Sequence, residues 1–319
     1  MTNPPTDKEF TFLDCWFLSG ATASGKTRVG LELAKKINAE IIALDSMSLY
    51  RDMDIGTAKP TPEEQAEVPH HLIDVLDPTE TSSISQYLEM AKSTVQEIRS
   101  RGKEVLFVGG TPLYLKALLR GLSEGPAPDP AYRQALEEEA VKVGNTALHE
   151  RLKMIDPLAA ARIHENDRRR IIRALEVHHA TGQPMSHYQF EFEDHAKPED
   201  CRAFWLSWER SVLHDRINQR VDAMFDAGLV QEVERLLKTH SPLSTTALQA
   251  VGYQEVIDFM AGNKDLEAAK QRVKARTRQF AKRQCTWFRS LEECREVELA
   301  GQFDATEIAE RIYQLGSPS

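Results

Sequence analysis

"FLSGATASGKTRVGLELAKK", residues 17–36, decides the fold. Gly20, four intervening residues, then Gly25, Lys26 and Thr27 have the spacing of a phosphate-binding loop. The loop follows an apolar run, "CWFLSG", and precedes Val29, Leu33, Ala34 and Ile37 at helical spacing, so it reads as strand, loop, helix. In such a loop the segment Gly20, Ala21, Thr22, Ala23, Ser24, Gly25, Lys26, Thr27 closes around phosphate oxygens. The glycines let backbone N–H groups approach, the helix N-terminus adds partial positive charge, Lys26 supplies a mobile cation and the Thr27 hydroxyl can ligate Mg2+. The loop alone leaves open whether a phosphoryl group is transferred or a pyrophosphate is only the leaving group.

Working outward, "EIIALD" (40–45) is a second buried strand ending in an acid, and "EVLFVGG" (104–110) is a third, preceded by a helix over 84–103. Strands that are apolar throughout and alternate with helices call for a parallel sheet covered on both faces. After the Pro-rich "SEGPAPDP" the chain turns helical, with no strand pattern through "AYRQALEEEAVKVG" and "DRRRIIRALEVHHATG". The polar segment "EFEDHAKPED" ends that stretch, and "CRAFWLSWE" (201–209) resumes strand character. Three helical regions follow, the first divided at Gly228 and the last strongly basic. The expected architecture is an α/β P-loop core over 1–126 and 200–319, carrying an all-helical insertion over 127–199.

At 319 residues and 41% hydrophobic, the chain is long enough to bury a sizeable core. No run is long and apolar enough to span a membrane, and the polar start lacks a basic segment followed by an apolar one, so a cytoplasmic protein is expected. The four cysteines are scattered without metal-site or redox spacing, and reduced thiols are expected. The doublets His70-His71 and His178-His179 read as structural, because adjacent side chains on a helix or strand point apart. Net charge is −9, yet residues 270–289, "KQRVKARTRQFAKRQCTWFR", hold eight Lys or Arg and no acid, which leaves −17 on the rest. "RRRIIR" (168–173) is a second basic cluster. Segregated positive charge on an acidic body is the footprint of a polyanion site, or else of solvated helix faces. Val273, Phe280, Trp287 and Leu291 fall near one face of the basic helix and read as core-facing.

Asp45, at a strand end, faces the ligand crevice of an open parallel sheet. It could bind a metal, act as a base on an acceptor, or cap the following turn. Thr111, after Gly109 and Gly110, is placed to begin a helix as its N-cap. The third strand therefore offers no second carboxylate, and if Asp45 is not the Walker-B acid the chain has no obvious one, which lowers the case for a motor or switch ATPase.

Several segments together resemble one family, the tRNA dimethylallyltransferases (tRNA isopentenyltransferases): "GATASGKT", "DSMSLYRDMDIGTAKP", "HHLIDVLDP", "VGGTPLYLKALLRGL", "DPLAAARIHENDRRRIIRALEV", "QRVDAMFDAGLVQEV", "AVGYQE" and "TRQFAKRQCTWFR". They run from residue 20 to 289. The chain departs from the family pattern at Ala21 (Pro), Ser48 (Gln), Pro112 (Gly) and Glu165 (Pro), and none of these removes a charge from the expected chemistry. The C-terminal zinc finger of the fungal and animal branch has no counterpart here, so the shorter bacterial type is expected.

The resemblance implies transfer of a dimethylallyl group from dimethylallyl pyrophosphate to N6 of adenosine 37 of a tRNA, with Mg2+ as cofactor. Asp45 is then the expected base, since an exocyclic amine must lose a proton as the carbon–nitrogen bond forms. Arg220 is expected at the diphosphate and Thr111 beside the donor or acceptor amine. A flipped adenine must enter a channel, and the resemblance places Ser46, Met47 and Ser48 beside Asp45 there. It also places Arg133, Arg169, Arg170, Ile171, Ile172 and Arg173 of the insertion, Gln249, Gly252 and Tyr253, and Arg276, Arg278, Lys282 and Arg283 on the anticodon stem-loop. A monomer is expected. The rivals are prenylation of free adenine nucleotides and an RNA-binding P-loop NTPase.

Overall fold

The structure, a computed structural model, describes residues 10–121, 125–189, 197–263 and 265–317. It divides into two compact units, Met1–Leu119 with Ala196–Ser319, and Arg120–His195. Composition alone put the insertion at 127–199; of its closing polar segment, residues 191–196 lie outside the described residues.

The first unit is built on strands β1 (Trp16–Gly20), β2 (Ala39–Ala43), β3 (His70–His71), β4 (Glu104–Gly109), β5 (Arg202–Trp208) and β6 (Cys294–Leu299). All pairs are parallel, in the order β3-β2-β4-β1-β5-β6. Successive strands build out on one side of β1 and then on the other, so the end of β1 opens at the reversal point where parallel sheets bind ligands. Alternating side chains split the core. Phe17, Ile42, Phe107 and Trp205 face one helical layer, and Trp16, Ile41, Leu106, Phe204 and Leu206 face the other. Each such fully buried side chain contributes about 1.5–3 kcal/mol.

Of the helices, α1 (Lys26–Ile37) follows the phosphate loop, α2 (Pro62–Glu67) precedes β3, α3 (Ile84–Ser100) precedes β4, and α4 (Pro112–Arg120) leaves it. The second unit holds α5 (Pro130–Val143), α6 (Asn145–Ile155), α7 (Pro157–Arg162), α8 (Arg168–Thr181) and α9 (Met185–Gln189). Asp129, Asp156 and Asp167 cap α5, α7 and α8 through their carboxylates. Leu136, Leu148, Leu152, Ile171 and Leu175 form this unit's own core. After β5 come α10 (Arg210–Asp226), α11 (Leu229–Thr239), α12 (Tyr253–Met260) and α13 (Leu266–Arg289), and α14 (Ala305–Gly316) follows β6.

Three features differ from expectation. The third-last helix is interrupted: a 3-10 turn at Ala247–Gln249 precedes α12, and Gly252 between them has φ 108°, a left-handed conformation suited to glycine. β3, β6 and α14 carry no signal read from the sequence; β3 has two residues, and "CREVEL" buries three of its six positions, whereas β1 and β2 are buried throughout. On α13 the buried stripe runs through Val273, Ala281, Gln284 and Phe288. Phe280 and Trp287, seven residues apart, are only half-buried, because a seven-residue step drifts by about 20° from a straight helix face.

Candidate active site

The loop between β1 and α1 forms the floor of a cavity of about 570 Å3. Gly25, φ 94°, is the left-handed residue that starts α1, and Lys26 and Thr27 open its first turn into the cavity. Lys26 is half-buried, and its Nζ donates to the Ala21 carbonyl at 3.3 Å. Burial pushes the Lys26 ammonium down to about 8, the nearby Arg220 charge pushes the same way, and Asp45 opposes both. Arg220, on α10, reaches the same cavity. Burial lowers its pKa, Asp45 raises it, and the like charge of Arg216 lowers it again. Neither Lys26 nor Arg220 forms an ion pair among the described residues. Two partly desolvated cations without a carboxylate partner make a site for an anion.

Asp45 stands two residues beyond the end of β2 and faces the cavity. Its Oδ1 accepts from the Met47 N–H at 2.9 Å, which fixes the carboxylate and leaves Oδ2 without a partner among the described residues. Thr111 closes the other side. Its N–H donates to the Leu44 carbonyl at 3.1 Å, and its Oγ1 accepts from the Ser46 N–H at 3.1 Å. The side chain therefore ties two strand ends together, where an N-cap for α4 was one reading. Only glycine fits at 109, since a Cβ there would lie 2.0 Å from the Leu44 carbonyl oxygen.

Gln284 of α13 was missed by sequence reasoning. Buried at 3% exposure, it accepts from the Thr22 N–H at 2.9 Å and donates to the Gly110 carbonyl at 2.6 Å. The basic helix is thereby fastened to the phosphate loop and to the end of β4. Glu232 of α11 was also missed: it accepts the N–H groups of Asp54, Ile55 and Gly56 at 3.0, 2.7 and 3.1 Å and the Tyr253 hydroxyl at 2.7 Å. That carboxylate shapes the cavity wall at Gly56–Thr57–Ala58. The only sequence signal for either residue is a polar side chain in apolar register.

A model of the IPP transferase family matches residues 48–291. The chain belongs to the IPP transferase family. It is 48% identical over 292 residues to the tRNA dimethylallyltransferase of Rhodopirellula baltica, covering 89% of this chain and 87% of that protein. It is 46% identical over 288 residues to that of Geobacter sulfurreducens, covering 90% and 93%. Among solved structures it resembles the full-length tRNA isopentenylpyrophosphate transferase of Bacillus halodurans, with TM-score 0.69, 39% identity and 95% of each chain covered. It also resembles a eukaryotic dimethylallyltransferase acting on tRNA, with TM-score 0.74, 27% identity, and 93% and 75% covered.

In this IPP transferase the remaining expected residues fall in three places. Ser46, Met47, Ser48, Gln249, Arg276 and Arg283 line the cavity with Asp45. Arg276 is already paired to the buried carboxylate of Glu255, and Arg278 donates to Asn218 Oδ1 at 2.6 Å. Lys282 and Arg283 are exposed on α13, and the Arg283 guanidinium lies 5.9 Å from the Phe280 ring centroid. Gly252 is the turn described above, and Tyr253 is fully buried against Glu232, so both act from beneath the cavity wall. In the second unit Ile171 and Ile172 are buried. Arg133 is held by the buried Glu176 carboxylate at 2.7 and 2.8 Å and Arg173 by the same group at 2.5 Å. Arg169 and Arg170 lie on the exposed side of α8, Arg170 paired with Asp167 at 3.4 Å.

Among the described residues no cluster of three or more His, Cys, Asp or Glu is placed to hold a metal. The Thr27 hydroxyl, on the cavity beside Lys26, is a hard oxygen donor. It suits Mg2+, which takes one or two protein oxygens and completes its shell with phosphate oxygens and water. No helix among the described residues is long and apolar enough to cross a membrane.

Proposed function

We propose that this chain is a tRNA prenyltransferase that moves the dimethylallyl group of dimethylallyl pyrophosphate to N6 of adenosine 37, beside the anticodon. The observation that carries the reading is the pairing of two cations lacking a carboxylate partner, Lys26 and Arg220, with one carboxylate, Asp45, across a single cavity. The C1–O bond of the donor breaks and its electron pair leaves with pyrophosphate. The C1–N6 bond forms, and the N6 proton passes to Asp45 Oδ2. Negative charge grows on the departing oxygens next to cations already in place, where it is stabilised most. Mg2+, held by Thr27 and the diphosphate, would add charge neutralisation at those oxygens. Thr111 keeps Asp45 aimed by fixing the Ser46 peptide. The anticodon stem-loop lies against the basic face of α13 in this reading, with the adenine flipped into the cavity.

Membership of the IPP transferase family and relatives named for tRNA favour this acceptor over free adenine nucleotides. Incubation with Mg2+, dimethylallyl pyrophosphate and unmodified tRNA, followed by digestion and mass spectrometry, tests it. N6-dimethylallyl adenosine in the digest is the expected product. Prenylated free AMP with unmodified tRNA, or ATP hydrolysis with neither, would reject it.

A further inference from the structure

Against the phosphate loop, and not among the residues that line the cavity, stands a cluster that no step above uses. Trp208 ends β5, Arg216 lies one turn before Arg220 on α10, and Phe303 precedes α14. Trp208 Nε1 donates to the Ser24 carbonyl at 2.9 Å, and Arg216 Nε donates to the Ala23 carbonyl at 2.8 Å. The Arg216 guanidinium rests against both rings, 4.9 Å from the Trp208 centroid and 5.3 Å from that of Phe303. Phe303 in turn covers Gly25 so closely that a Cβ there would lie 2.6 Å from the ring.

We infer that Trp208, Arg216 and Phe303 are positioning residues for the pyrophosphate site: they hold two successive carbonyls of the loop, Arg216 fixing the peptide whose Ser24 N–H closes a turn onto the Ala21 carbonyl at 3.2 Å and Trp208 fixing the next, so that the Gly25 N–H is held toward the leaving group. In a trans peptide the C=O and the following N–H point in opposite directions. Fixing the Ser24 carbonyl on the outside therefore turns the Gly25 N–H to the inside. Ala23 sits at φ 63°, a left-handed conformation that a non-glycine residue keeps only when its surroundings enforce it. The Arg216 bond to its carbonyl is such a restraint, and Lys26 Nζ on the Ala21 carbonyl and Gln284 Oε1 on the Thr22 N–H complete it from the inner side. An aromatic–guanidinium stack suits this role because the planar cation keeps its Nε direction while its faces are packed. The stretch from β6 to α14, remote in sequence from the phosphate loop, thereby becomes part of the donor site.

The inference rests on the reading that the loop holds pyrophosphate, so the test begins with inorganic pyrophosphate and Mg2+ titrated into the wild-type protein by calorimetry. No binding there would reject that reading. With binding present, Trp208→Phe, which keeps a ring and loses the Nε1 donor, is expected to weaken pyrophosphate and raise the donor KM about five- to tenfold, with the KM for tRNA unchanged. Arg216→Lys is expected to weaken both less than Arg216→Gln. Phe303→Leu, at a half-buried position, repeats the measurement without touching a hydrogen bond and is expected to weaken pyrophosphate to a smaller degree. A purely structural cluster would instead lower the melting temperature and kcat while leaving pyrophosphate affinity alone. Wild-type binding with unchanged affinity in Trp208→Phe, Arg216→Gln and Phe303→Leu would overturn the inference.

Discussion

Thr111 Oγ1 accepts the Ser46 N–H at 3.1 Å, so the end of β4 sets the direction in which Asp45, two residues beyond the end of β2, points. Thr111→Val keeps the shape and removes the acceptor, leaving a backbone donor unsatisfied. A kcat about tenfold lower with unchanged donor KM is expected, and Thr111→Ser is expected to restore most of it. Steady-state kinetics of the two variants separate this positioning role from a contact to the donor, which would move KM.

Asp45→Asn keeps the Met47 turn and removes the proton acceptor. Loss of a positioned general base lowers turnover by about 10²- to 10⁴-fold. Pyrophosphate and tRNA binding should persist. A variant with near wild-type turnover would remove Asp45 from the base role.

The pH dependence of donor binding follows from Lys26. Its ammonium is held down to about 8 in the free protein, and a bound anion must raise that value, so binding takes up a proton once Lys26 has begun to lose its own. Measured against Lys26→Gln, in which only the ionisation of pyrophosphate itself acts, the wild-type advantage in affinity is therefore expected to be constant below pH 7 and to fall as pH rises through 8, by at most about tenfold per pH unit. A calorimetric pH series of both proteins gives that ratio, and a ratio independent of pH would reject the role of Lys26.

Glu232→Ala strips the acceptor from three backbone N–H groups and the Tyr253 hydroxyl. The Tyr253 hydroxyl is buried and the three N–H groups are only part-buried; an unmatched buried donor costs about 1–3 kcal/mol and a solvent-reachable one less, so a loss of about 3 kcal/mol in urea unfolding is expected. Gly56→Ala presses on the same place, because a Cβ would lie 2.5 Å from the Tyr253 ring.

Arg276 is a poor choice for testing RNA contact, since its removal strands the buried Glu255 carboxylate. Lys282 and Arg283 are exposed and in no ion pair among the described residues. Their double replacement by Gln is expected to weaken tRNA binding and to reduce the slope of log K against log salt by about one per lost phosphate contact. An unchanged slope would return this face of α13 to ordinary solvated surface.

The inner strands and the phosphate loop were legible because both are local: β1, β2 and β5 are short and mostly apolar, and the loop spacing lies within eight residues. β6 was hidden by its charged residues, being buried at only half its positions. Lys26 and Asp45 could be named from the sequence because their chemistry is their charge. Glu232 and Gln284 could not, because each works by bonding peptide groups far away in the chain, at 54–56 and at 22 and 110. Arginines of one cluster also proved unequal: Arg173 is bound to Glu176 while Arg170 faces outward, a distinction set by helix phase and by a partner three residues on.

The two cations that face Asp45 without carboxylate partners have a cost after the chemistry is over. A site that stabilises the charge of a departing diphosphate also retains the diphosphate, since the free product bears more negative charge than the ester it came from. In the proposed reaction, retention and rebinding of that product would slow turnover, and hydrolases that clear free pyrophosphate would act on how completely the acceptor is modified.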